Sequence, residues 1–250
     1  MTAVLSAELF KLRSTRAPWA IAVGPVALTA AVIAAGAALL GDPGQPALEP
    51  SALGDLARAP GRWTGAAALL LGLLMSTGEY RFGTVLTTRL AYPQVGRLVL
   101  GKAAAAAVAG IALAFVVELV AIGGGAVMLA ARGVEVHPLQ HGALTAVPSI
   151  VLVTTLYAVA GVGIGELLRN PALAVGAVFG GFLLQGVLPA VLREPELARW
   201  MPQGATGSAL TLGGDHDSAL LDPSVGLLVL AAYAAALLMA GYGRSRTTDP

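Results

Sequence analysis

From Ala17 to Leu40 the chain carries no charged side chain, and from Ala103 to Ala131 it carries one, Glu118. Runs of this length meet the ~20 consecutive apolar residues that a helix needs to cross ~30 Å of hydrocarbon. Six stretches read as spans, at about 17–40, 63–78, 103–131, 141–165, 171–192 and 223–242. The second is short: from Trp63 to Gly78 a helix rises ~24 Å, so either the bilayer thins there or the helix continues past Glu79. With 56% hydrophobic and 12% charged residues and a mean hydropathy of +0.78, the chain lies far from the roughly 25% charged residues of a soluble domain. The reading is an all-α membrane protein, one transmembrane domain over 1–250, multi-pass.

Charge placement orients it. Met1 to Arg16 reads as an interfacial helix on the inner leaflet, with Val4, Leu5, Leu9 and Leu12 on one side and Glu8, Lys11 and Arg13 on the other. The run that follows is longer than the ~7–15 residues of a signal-peptide core, so it reads as a retained span. Lys11, Arg13, Arg16, Arg81, Arg89, Arg97, Lys102, Arg169, Arg244 and Arg246 then fall on one side, against Arg58, Arg62, Arg132, Arg193 and Arg199 on the other. The excess of Lys and Arg marks the cytoplasmic side and puts both termini there, in an inner (cytoplasmic) membrane. A formal net charge of +1 argues against nucleic acid, and the absence of cysteine excludes disulfides and thiolate chemistry.

The longest charged interruption, Gly78 to Lys102, joins the second and third spans on the cytoplasmic side. Tyr80 to Leu90 fits a short helix ended by Pro93, presenting Tyr80, Arg81, Thr84 and Thr88 at helical spacing. Such a helix can push and pull on the spans that it joins; the alternative is that Glu79 and Arg81 cap helices while Arg89, Arg97 and Lys102 hold phospholipid headgroups. Gly96 to Lys102 fits G-x-x-x-x-G-K, but Ala103 stands where Ser or Thr would ligate Mg²⁺ and no strand precedes it, so no nucleotide site is read.

Within the spans, Glu118 near the middle of the third is costly in lipid and is expected to face protein or water. Thr154, Thr155, Tyr157 and Gln185 are its candidate partners, and a role lining a substrate path stands beside a role joining two helices. Gly161 with Gly165, and Gly176 with Gly180, form G-x-x-x-G pairs suited to close helix packing. His137, His141 and Glu135 make a poor metal set because Pro138 interrupts the helix, and Asp215, His216, Asp217 and Asp222 lack calcium-loop spacing. No catalytic residue, cofactor or metal is assigned.

Three stretches carry a resemblance: ELFKLRSTR at the start, GEYRFGT with the Pro, Arg and Gly-Lys that follow, and RWMPQGATGSAL before the last span. Together with the six-span layout they resemble the permease subunits of ABC-2 type transporters, in the small variant of high-GC Gram-positive bacteria. The resemblance implies an exporter of a hydrophobic or amphipathic substrate (drug, antibiotic or lipid), with ATP hydrolysed by a separate ABC ATPase subunit. It further implies a second permease copy or paralogue across the substrate path, a segment before the last span that partly re-enters the bilayer, and a docking helix between the second and third spans. On this chain that docking set is Glu79, Tyr80, Arg81, Phe82, Thr84 and Arg89, with Glu118, Tyr157 and Gln185 as substrate-path candidates. The alternatives are an immunity or accessory membrane protein without a transport cycle, and an intramembrane hydrolase; the second lacks convergent polar groups at mid-depth.

Overall fold

The computed structural model describes residues 2–39, 52–135, 143–212 and 220–247. Leu40, the loop residues 41–51, His137, His141, Asp215, His216 and Asp217 lie outside them. The described residues form eleven helices and no strand. Five helices are long and apolar enough to cross a membrane: α2 (Arg16–Leu39), α6 (Val95–Ala130), α7 (Ala143–Leu168), α8 (Pro171–Leu192) and α11 (Pro223–Thr247). α4 (Gly61–Arg81) is of similar length but less apolar. Short helices join or flank these: α1 (Thr2–Ser14), α3 (Ala52–Arg58), α5 (Val85–Ala91), α9 (Leu197–Trp200) and α10 (Pro202–Leu210).

α7 is the hub, packed against α4, α6 and α11. Small residues set how close it comes. A Cβ placed on Gly72 of α4 would collide with the Ala158 carbonyl of α7, and one on Gly161 of α7 would collide with the Leu69 carbonyl of α4. Gly165 faces the Leu73 carbonyl and Ser76, so α4 and α7 run parallel with their backbones touching. Gly163 meets the backbone of α11 at Leu237, and Gly241 of α11 meets the Gly163 carbonyl. Gly176 and Gly180 do not act this way within the chain: a Cβ at either meets nothing within 4 Å, because α8 turns that face away from the bundle.

The helix ends depart from the sequence reading in ways that matter. α4 continues through Glu79 to Arg81, giving ~31 Å and resolving the short second span in favour of continuation. α6 begins at Val95 and rises ~54 Å, so Lys102 lies two turns inside a helix and not in a loop. Asn170 caps α8, its side chain accepting from the Ala172 and Leu173 amides, with Pro171 following it and Arg169 at φ 56° closing the tight turn. α3, between the stretches read as the first and second spans, plants Leu53 and Ala57 in the core. α10 is likewise drawn in: Ala205 to Leu210 are buried, and Gly226 of α11 sits against the Ala205 carbonyl.

Candidate functional site

At one end of the bundle charged residues of four helices converge, joined by a serine of a fifth. Lys102 on α6 is 2% exposed, and its ammonium lies 2.7 Å from Glu79 Oε2 on α4 and 2.8 Å from Glu166 Oε1 on α7. Glu166 Oε2 accepts from the Tyr80 hydroxyl at 2.9 Å and from Ser245 of α11 at 2.8 Å. Glu79 Oε1 reaches outward to Lys11 of α1 at 2.6 Å, and Lys11 also holds Glu8 at 2.7 Å. Three carboxylates and two ammonium groups thus alternate from the interior to the surface. Each interior charge has partners on two sides, the condition for an ion cluster to survive outside bulk water.

α1 therefore does more than lie on the membrane. Glu8, expected on its polar side, is 3% exposed, and Val4, Glu8 and Lys11 share the face turned to the bundle, where Val4 fills the notch at Gly101. Burial works against the charge on Lys11, but the hydrogen bonds and charges of Glu79 and Glu8 outweigh it and hold its pKa above the usual lysine value.

A rim of arginines closes the same end. Arg169 lies over the Tyr80 ring at 5.3 Å and donates to the Arg244 carbonyl at 2.9 Å, while Arg89 donates to the Ser245 carbonyl at 3.1 Å. Both cover carbonyls of the last turn of α11, where the helix dipole favours cations. The start of the chain, the α4–α6 connection, the α7–α8 turn and the end of α11 thus share one end of the molecule.

The residues read as a docking set divide in two. Glu79 is 5% exposed and committed to the ion cluster, and Tyr80 is held by Glu166. Both belong to α4 and not to the connecting helix. Arg81, at the end of α4, and Phe82 and Thr84 beyond it are exposed, with Phe82 74% exposed and the Arg81 guanidinium 5.6 Å from its ring. Gly83 at φ +67° makes the turn into α5, whose Leu86 and Leu90 are also exposed and whose Arg89 reaches back to α11.

The substrate-path candidates also separate. Both carboxylate oxygens of Glu118 are buried without a hydrogen-bond partner among the described residues, and none of the four expected partners reaches them. Thr155 donates to the Val151 carbonyl, Tyr157 pairs with Thr206 at 2.9 Å, and Gln185 bonds the Gln203 amide; Thr154 Oγ1 has no partner either. Lys102 cannot serve, since sixteen residues of helix separate it from Glu118, ~24 Å. Tyr157 and Gln185, by contrast, line two adjoining cavities, one open at the end away from the ion cluster and one running inward along α7 as far as Ile164.

Sequence reasoning missed Lys102 and Glu166 as site residues. The signal was present: Glu79, Lys102 and Glu166 each lie at a span end assigned to the same side. Neither a protein-family model nor any curated protein matches this chain.

Proposed function

We propose that this chain is the membrane-spanning permease subunit of an ATP-driven exporter, with hydrolysis supplied by a separate ATPase. The observation that carries this reading is the exposed Arg81–Leu90 segment, apolar and basic at once, hung between α4 and α6 and fastened at its root by the buried Glu79–Lys102–Glu166 cluster. A partner that moves the segment moves Glu79 and Lys102, and with them α1, α7 and α11. A lipid anchor needs no such root. α4 is the sixth span in this account, because it lies among helices that could cross and, at 21 residues, is nearly as long as the shortest of them, α8 at 22; the cationic end is cytoplasmic, with both termini there. Two copies, or a copy and a paralogue, enclose the path, since six helices make a thin wall.

The test is affinity purification of the tagged chain from its native membrane in mild detergent. An ATPase is expected to co-purify with the wild type and to be lost on Arg81→Glu combined with Phe82→Asp. If the wild type brings down none, or the double variant retains it, the reading fails.

A further inference from the structure

At the end away from the ion cluster, a cleft of about 560 Å³ opens between the start of α4, α8 and the α9–α10 corner, and it adjoins an apolar cavity of about 160 Å³ between α4, α7, α8 and α11. Tyr157, Phe182 and Gln185 line both, so the two form one crevice with a polar mouth and an apolar end. The mouth holds one charged side chain, Arg62, whose guanidinium rests over Gly207 of α10 and has no ion-pair partner among the described residues. No acidic residue lines either part. Gln203 and Gly204 of the first turn of α10 also line the mouth, where the Gln203 amide already donates to Gln185 Oε1 at 2.9 Å, so Arg62 is the group there that carries a positive charge.

The apolar end is walled by the rings of Tyr157, Phe182 and Tyr233 with aliphatic side chains between them. Its volume is close to that of a ~150 Å³ engineered cavity known to take benzene, so it suits a ring-sized group and not a full acyl chain. Lone cations at a membrane surface are common; this one lines a cleft that opens onto an apolar cavity. We propose that the crevice binds amphiphiles with one anionic head and one aromatic or similarly compact tail, the head at Arg62, the tail between α7, α8 and α11. As an assignment of the exported substrate class this rests on the permease reading; as a binding site it does not.

The test uses the full chain in phosphatidylcholine nanodiscs with Trp19→Phe and Trp200→Phe, which leaves Trp63, at the mouth, as the sole reporter. 4-Phenylbutyrate is expected to change its fluorescence saturably, and 4-phenylbutanamide and 4-phenylbutylamine to bind at least about tenfold more weakly. Arg62→Gln is expected to weaken the anion by about tenfold or more, as for loss of a charge-assisted hydrogen bond. Gly181→Leu probes the tail: a Cβ there meets nothing within 4 Å, so the side chain fills the cavity without a clash at its root and is expected to weaken all three ligands. Equal affinity for anion, amide and amine, no effect of Arg62→Gln, or no effect of Gly181→Leu would overturn the site. So would loss of the phenylbutyrate signal in phosphatidylglycerol nanodiscs, which would assign the crevice to a lipid. Saturable anion binding by a chain that recovers no ATPase keeps the site and removes the export reading; ATPase recovery without anion binding does the reverse.

Discussion

Lys102 is the side chain on which the ion-cluster end of the bundle turns. Removing one partner of a buried ion pair costs about 3–5 kcal/mol because the other charge is left uncompensated, whereas replacing the whole set by apolar groups can be neutral. Lys102→Met is therefore expected to destabilise the protein by about that amount in thermal or denaturant unfolding, and adding Glu79→Gln and Glu166→Gln is expected to recover much of it. If Lys102→Met alone is neutral, the cluster does not hold the helices together. Lys11, at the cluster's exposed edge, behaves differently with pH. Its folded pKa is raised, so its contribution is complete below the usual lysine value of about 10.4 and is lost only as pH rises through the higher folded value. Release of α1, followed by protease access near Thr15, is expected only at strongly alkaline pH; release near pH 7 would show that Lys11 does not hold it.

Among the helices, the α4–α7 contact admits the least change. Gly161→Ala forces a methyl into the Leu69 carbonyl, and overpacking of this kind costs about 1–3 kcal/mol. The same substitution at Gly176 or Gly180 is expected to leave a detergent-solubilised monomer's melting temperature unchanged. The two G-x-x-x-G pairs are indistinguishable as text because the pattern gives spacing but not which face a neighbour occupies. Similar limits shaped the rest. The long apolar helices were legible because length and hydropathy alone define them. Lys102 was not: a lysine just ahead of an apolar run reads as the run's boundary, and only the partners brought by α4 and α7 let it sit inside the helix. α3 hid in a Pro- and Gly-rich stretch because seven residues carry too little periodicity to stand out. Tyr157 and Gln185 were picked out as polar residues in apolar helices, but their cavity depends on how loosely α8 lies against α4 and α7.

For the molecule as a whole, the arrangement separates two ends with different tasks. One gathers Lys11, Arg81, Arg89, Lys102, Arg169 and both terminal helices around buried carboxylates; the other opens the crevice beside α10. The absence of cysteine makes sidedness easy to read. Single cysteines at Thr87 and Thr247 are expected to resist a membrane-impermeant thiol reagent in intact cells, while one at Glu194 reacts; labelling of Thr87→Cys from outside would invert the topology. The central claim is that the α4–α6 connection both receives a partner and transmits its motion through the ion cluster, and these two roles separate by mutation. The decisive measurement is ATP-driven export, alongside recovery of the ATPase, for Lys102→Met and for Arg81→Glu with Phe82→Asp in one reconstituted system. Lys102→Met is expected to keep the ATPase and lose export, and the double variant to lose both. Undiminished export by a folded Lys102→Met chain would contradict the account.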